Sequence, residues 1–283
     1  MNSIFCSYTI WYILLGISTI IELIIVFTKV KNRKFTFAFY CMIAGITIPC
    51  EMVLNVALKG YIYYPMIFSS PFDNYVAGNL FSQLSISATA TFIAVFNLKN
   101  YWYFIFAGIY GIIEELFLAL GIYKHNWYQT WMTIVALIII FPVVKKMCKN
   151  NLVYIGRTKR YIYILLGHIA LLLHTAWAFK LLHVFTFNEH YFLDIAVSLT
   201  VLPILYIFLL SNIILSIYFS KIKLIWKCII TSTLYFANYI LLIFNLIYIK
   251  EKWFFIFTTA IIFCGYLYAY ILDKGYNKTD TEQ

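Results

Sequence analysis

Charge is what this sequence lacks. Only 11% of its 283 residues are Asp, Glu, Lys or Arg, while 64% are hydrophobic and the mean hydropathy is +0.86. Soluble domains carry roughly 25% charged residues, so a soluble globular domain is excluded and a polytopic membrane protein is indicated. Acids are the scarcer sign, 11 Asp and Glu against 21 Lys and Arg, for a net charge of +10. That surplus does not point to nucleic acid. A polybasic site needs its cations on one face, whereas these fall between hydrophobic segments, where they act as orientation signals.

Paired cysteines are missing as well. Cys6, Cys41, Cys50, Cys148, Cys228 and Cys264 stand singly with no CxxC spacing, so neither a disulfide framework nor a zinc site is indicated. No nucleotide-binding loop, GxSxG elbow or HExxH helix occurs, so no cofactor or metal is expected. His168 and His174 lie about 120° apart on a helix and cannot present two haem ligands from one face. The N-terminal stretch lacks the basic start and small-residue cleavage site of a signal peptide and is expected to be a retained first span.

Long apolar runs are what the sequence has. A helix crosses the hydrocarbon in roughly 20 residues. Cutting at charged or turn-rich breaks gives nine segments, near 8–28, 35–57, 76–97, 101–121, 127–145, 160–180, 192–219, 224–248 and 252–272. Unpaired backbone groups are not tolerated in lipid and no alternating barrel pattern appears, so the expected fold is all-α with about nine transmembrane helices. With the N-terminus outside, 16 of the 21 basic residues fall on the cytoplasmic side and only Lys59, Lys124, Lys180, Lys250 and Lys252 remain outside. The expected orientation is N-out and C-in. Trp11, Trp127, Trp131, Trp177 and Trp253 fall near outer helix ends and Trp102 and Trp226 near inner ends, as interfacial belts require.

A long-period self-similarity is present. RKFTF at 33–37 resembles KRYIY at 159–163, PFDNYV at 71–76 resembles FLDIAV at 192–197, and KHNW at 124–127 resembles KEKW at 250–253, at offsets of 126, 121 and 126. The organisation expected is a leading helix over 1–34, a first four-helix half over 35–150, and a second half with a short cytoplasmic tail over 151–283. An even number of helices per half makes the repeat parallel. Glu114 and Glu115 then align with Ile240 and Leu241, so these acids belong to the first half only.

Ionisable side chains inside a membrane are costly and turn toward partners or water. Glu51, Gln83, Glu114 and His174 all fall roughly 10 Å below the outer surface when depth is counted at 1.5 Å per residue. Asn79, Gln83, Ser87 and Thr91 recur every four residues and form one polar stripe, which should face the bundle interior. An outward-open polar cavity is expected, with Glu114, Glu51, Gln83, His174 and Asn79 inside and Asp73 and Asp194, at matching repeat positions, on its outer rim. Asp73 and Asp194 also suit helix N-termini, where a carboxylate caps free N–H groups. Glu22 has no obvious partner at its depth. Glu114 and Glu115 are about 100° apart on the helix, so only one can face the cavity, and Glu114 has the polar company.

Residues 35–147 resemble an uncharacterised family of small multi-pass membrane proteins from spore-forming Firmicutes. In that family an outer acidic residue opens a span, and a later span carries a Glu, a Gly seven residues on, and a Trp past the helix end. Those positions are Asp73, Glu114, Gly121 and Trp127 here. The resemblance implies a bacterial cell membrane and no assigned activity. A weaker resemblance is to intramembrane proteases of the CAAX-processing type, carried by Glu114-Glu115, His168 and His190 followed by Asp194. Ala119 and Ile164 stand where those proteases carry Arg and Phe, and His190 falls at the outer surface away from Glu114. General acid–base work needs groups within reach of one substrate. The leading expectation is therefore binding or transport of a small polar or cationic solute, or of protons. An intramembrane Glu/His hydrolase and a non-catalytic partner subunit are the alternatives, and beyond the lipid bilayer protein partners are unassigned.

Overall fold

The computed structural model describes residues 8–153 and 155–277, so Cys6 and Lys278 lie outside the described residues. Nine long helices run back and forth through the described residues: α1 (Ile10–Lys29), α2 (Arg33–Met52), α3 (Pro71–Val95), α4 (Tyr101–Ala119), α5 (Thr130–Val153), α6 (Arg157–Leu181), α7 (Ile195–Phe219), α8 (Leu224–Ile243) and α9 (Phe254–Tyr276). The chain is an all-α polytopic membrane protein. Eight of these helices are long and apolar enough to span a bilayer. The exception is α3. Its buried Asp73, Asn74, Asn79, Gln83, Ser85, Ser87, Thr89 and Thr91 lower its hydropathy, and it survives at membrane depth because α1, α2 and α5 enclose it. Ser70 caps its start, accepting from the Asp73 N–H at 3.3 Å, so α3 begins at Pro71 rather than near 76.

Four three-residue strands interrupt the helices at one end of the bundle, hereafter the strand face: β1 (Tyr61–Tyr63), β2 (Tyr123–His125), β3 (Phe185–Phe187) and β4 (Ile247–Ile249). They are too short to show as an alternating pattern among apolar neighbours. The pairing β1 with β2 is antiparallel, in the register Tyr61 to His125, Ile62 to Lys124 and Tyr63 to Tyr123. The pairing β3 with β4 is antiparallel, Phe185 to Ile249, Thr186 to Tyr248 and Phe187 to Ile247.

The order helix, strand, helix, helix, strand, helix therefore occurs twice, over α2–α5 and over α6–α9, at a constant offset of 124 residues (61 to 185, 123 to 247). Backbone hydrogen bonds repeat at the same offset. Tyr64 donates to Ile122 as Asn188 does to Leu246, and Asn126 donates to Gly60 as Lys250 does to Val184. The left-handed residues that turn the chain out of each helix also repeat, Lys59 with His183 and Gly121 with Asn245. At this register KHNW and KEKW are two residues out of step, and Glu114 corresponds to Asn238, not Ile240. Asp73 and Asp194 are not equivalent either. Asp194 corresponds to Ser70, each accepting at its carbonyl from the N–H four residues on.

The two halves meet along α2 and α6, the most extensive helix pair. Gly45 makes this approach possible, since a Cβ there would sit 1.8 Å from the Leu166 carbonyl oxygen. At the strand face two reciprocal ion pairs cross the junction. Lys180, near the end of α6, reaches Asp73 of α3 at 2.6 Å, and Lys59, after α2, reaches Asp194 before α7 at 2.6 Å. Apolar cores fill the junction toward the other end, around Phe35, Phe39 and Phe141, and within the second half around Phe185, Phe187 and Phe257.

Candidate functional site

Period-two alternation in the first ribbon puts Tyr61, Tyr63, Tyr123 and His125 on one inward face, with Lys124 outward. Beneath that face lies a cavity of about 210 Å³ bounded by α1 to α5. Glu51 comes from α2, Ser82 and Gln83 from α3, Tyr110 and Glu114 from α4, Thr133 from α5, and Tyr12 from α1. No Lys or Arg lines it.

Glu51 is 9% exposed and accepts from the Tyr63 hydroxyl at 2.8 Å, and Tyr61 and Gln83 also turn hydrogen-bonding groups toward it. It sits just before a π-helical turn at Val53–Ala57 and just after Pro49, two breaks in regular α geometry that change the direction of side chains on this turn. Glu114 has His125 Nε2 at 2.7 Å from one carboxylate oxygen and accepts from the Thr133 hydroxyl at 2.6 Å with the other. Thr133 also lies 3.1 Å from the Tyr128 hydroxyl. The ring of His125 packs edge-on against Tyr123. Burial raises the Tyr61, Tyr63 and Tyr123 phenols well above the ordinary tyrosine range, so they remain protonated donors at physiological pH.

The structure brings Glu51, Gln83 and Glu114 to one cavity but departs from the expected site in other respects. His174 lies apart. Its Nδ1 bonds the Ala170 carbonyl, and it lines a separate cavity of about 60 Å³ with Trp177 and Lys180. Asn79 is buried outside the main cavity, and no partner for its side-chain amide is found among the described residues. Asp73 and Asp194 form the ion pairs that join the halves and do not rim the cavity. The strand face of the cavity is closed, because the ribbon roofs it with Tyr61, Tyr63 and Tyr123, and Tyr12 buttresses the roof by donating to the Ile122 carbonyl at 2.7 Å. The exposed residues that line it are Ile46 and Cys50, on the side of α2. The exposed part of the lining is therefore lateral, on α2, in place of the expected outward mouth.

Glu115 is exposed and makes no hydrogen bond or ion pair among the described residues. Glu22, by contrast, has a partner, since the Thr89 hydroxyl lies 2.8 and 3.0 Å from its two carboxylate oxygens. His168 belongs to the second half, with Ser211 on Nδ1 and the Gly265 carbonyl on Nε2, both at 2.9 Å. Glu114, Glu115 and His168 thus do not converge, and the hydrolase constellation is not formed.

Sequence reasoning missed the tyrosines, His125 and Thr133. The available signals were the alternation in YIYY and the position of His125 eleven residues beyond Glu114, where a ribbon folding back over the helix end returns it to the carboxylate.

The second half shows what the same architecture becomes without these groups. At the 124-residue offset Tyr61, Tyr63, Tyr123, His125 and Thr133 are replaced by Phe185, Phe187, Ile247, Ile249 and Phe257, and Glu114 by Asn238. Phe185 stacks on Phe257 with centroids 4.3 Å apart, filling the space. No known family, curated protein or solved structure matches the chain.

Proposed function

We propose that this protein binds, and moves across a bacterial cell membrane, a small amphiphilic organic cation held between Glu51 and Glu114. The observation that carries this reading is the shared cavity: two carboxylates under a roof of tyrosine rings, with no lysine or arginine in its lining. Desolvated carboxylates attract a cation, and aromatic faces add cation–π attraction. The apolar remainder of the lining, including Leu15, Ile46, Ile86 and Leu137, and its lateral exposure beside Cys50 favour a ligand that partitions into lipid. The excess of basic residues at the end opposite the strands supports an orientation with the strand face outside and the C-terminus cytoplasmic.

The test is thermal unfolding of the protein in nanodiscs against matched alkylammonium ions and neutral alcohols. A ligand that binds the folded state raises the melting temperature by mass action. Alkylammonium ions are expected to stabilise the protein and to protect Cys50 from a lipid-soluble maleimide, while the alcohols do neither. Stabilisation by neither series, or equally by both, overturns the reading.

A further inference from the structure

Below the cavity a line of hydroxyl groups continues away from the strand face. Tyr110 lies on the same helix face as Glu114, one turn along α4, and its ring lines the cavity. Its hydroxyl is 2.8 Å from Ser85 Oγ and 2.9 Å from Thr89 Oγ1. Thr89 in turn meets both oxygens of Glu22, at 3.0 and 2.8 Å. Three helices supply these groups, α1, α3 and α4. Counted at 1.5 Å per residue, Glu22 lies about 10 Å from the basic end of α1, whereas Glu114 lies about 8 Å from the strand-face end of α4. Glu114 and Glu22 therefore stand about 12 Å apart in depth within a hydrocarbon core of roughly 30 Å.

We propose that Tyr110, which lines the cavity, Thr89 and Glu22 form a proton path from the cavity toward the basic face, with Ser85 holding the Tyr110 hydroxyl, and that a proton leaves the cavity along it when the cation enters. The directions of donation are consistent. Each hydroxyl has one hydrogen, and the order Ser85 to Tyr110 to Thr89 to Glu22 lets each donate to the next, ending on a carboxylate that only accepts. A proton released into the cavity by a protonated Glu51 or Glu114, which is left as the carboxylate facing the cation, bonds to the Tyr110 oxygen. The Tyr110 O–H breaks as the Thr89 O–H forms, and the Thr89 O–H breaks as the proton reaches Glu22. One proton is added to the Glu22 carboxylate, each hydroxyl ends with one hydrogen as it began, and no electron or co-reactant is needed. The side chains that face Glu22 are Thr89 from α3 and Tyr110 from α4. No basic side chain forms an ion pair with it among the described residues, so its charge is not already neutralised by a fixed cation. Glu22 is thus a half-buried acid reached from the cavity side through Thr89 and Tyr110, and Tyr110 also lines the cavity that holds Glu51 and Glu114.

The exchange of cation for proton rests on the cation-binding reading of the cavity, whereas the path itself does not, and two measurements separate them. In proteoliposomes loaded with a pH-sensitive dye, a tetraalkylammonium gradient is imposed. This cation has no neutral form that could carry a proton across unaided. Wild-type protein is expected to move protons against the cation. Glu22→Gln and Thr89→Val should cut that flux at least tenfold while cation stabilisation in nanodiscs changes by less than threefold, and Glu114→Gln should lose both. Undiminished flux in Glu22→Gln, or cation binding by the wild type with no proton movement, overturns the path and leaves the cavity reading standing. The second measurement needs no ligand. The infrared carbonyl band of protonated Glu22, identified by its loss in Glu22→Gln, is followed after transfer to D2O at acidic pH. Its isotope shift should be at least tenfold slower in Tyr110→Phe and in Thr89→Val, and equal rates in all three proteins overturn the path whether or not a cation binds.

Discussion

The Tyr63 hydroxyl donates to Glu51 at 2.8 Å, and the residue that takes the place of Tyr63 in the second half is Phe187, which has no hydroxyl to give. That oxygen is one of several polar groups by which the halves differ. Both fold the same ribbon over the same helix ends, but the first encloses two carboxylates in a cavity of about 210 Å³, whereas the second has Asn238 bonded to Tyr206 and a cavity of about 60 Å³. A cavity retained on one side of a repeated architecture is not a by-product of how the helices must pack, because the other side shows that aromatic and aliphatic residues close most of it. The acids also separate by position, and from this the first prediction follows.

Glu114 and Glu115 are adjacent in sequence but face different surroundings, Glu114 the cavity and Glu115 the bundle exterior. Glu114→Gln is expected to weaken alkylammonium binding at least tenfold, about 1.4 kcal/mol. Glu115→Gln should leave it unchanged. Titration of the thermal shift for both variants measures this, and equal losses would remove the distinction.

Much of this architecture is legible in the chain, and the illegible parts have physical reasons. Nine apolar runs announce nine helices because lipid demands length and continuity. The common depth of Glu51, Gln83 and Glu114 is readable because helices advance by a fixed rise. His174 shares that depth, but depth along an axis says nothing of the azimuth, and α6 turns it to a different cavity. The ribbons are hidden because three residues carry no detectable period, and with them went His125 and the tyrosine roof. The repeat is visible while its register is off by two or three residues, since apolar residues substitute for one another freely and the true match lies in backbone hydrogen bonds. The partner of Glu22 is hidden because Thr89, with Ser85, lies on a different face of α3 from the stripe through Gln83 and Ser87, and the sequence does not show which face meets α1.

The close approach of α2 to α6 makes Gly45 intolerant of any side chain. A Cβ would stand 1.8 Å from the Leu166 carbonyl oxygen, so Gly45→Ala forces the two halves apart. A destabilisation of about 1–3 kcal/mol is expected, the range for overpacking. Gly108 is the control, since nothing lies within 4 Å of its added Cβ, and Gly108→Ala should be neutral or mildly stabilising. Thermal unfolding of both in nanodiscs checks the contrast.

The reciprocal ion pairs should not be equal in value. Lys180 and Asp73 have side chains 16% and 11% exposed, whereas Lys59 and Asp194 are 65% and 38% exposed. Removing one partner of a buried pair strands a charge and costs about 3–5 kcal/mol, while a surface pair contributes about 1 kcal/mol or less. Lys180→Met is therefore expected to destabilise the protein several-fold more than Lys59→Met, and only the Lys59 pair should weaken noticeably between low and high salt.

Placing a hydroxyl where the second half has none tests the asymmetry directly. Phe187 is 5% exposed and packs edge-on against Phe185 at 4.8 Å, and a tyrosine oxygen at this site would meet no carboxylate equivalent to Glu51. The position 124 residues after Glu51 is Thr175, whose side chain is shorter than a glutamate and is already bonded to the Leu171 carbonyl and to Tyr268. Phe187→Tyr should therefore cost about 1–3 kcal/mol, the penalty for a buried hydroxyl without a partner. Tyr63→Phe removes a donor from Glu51 and should cost a comparable amount through the carboxylate it deprives. The double variant Tyr63→Phe with Phe187→Tyr separates two accounts of the halves. If each half tunes its own interior, the two losses add, because the ribbons share no partner. If instead the halves compensate across α2 and α6, the double variant recovers stability, and unfolding midpoints of the four proteins decide between these outcomes.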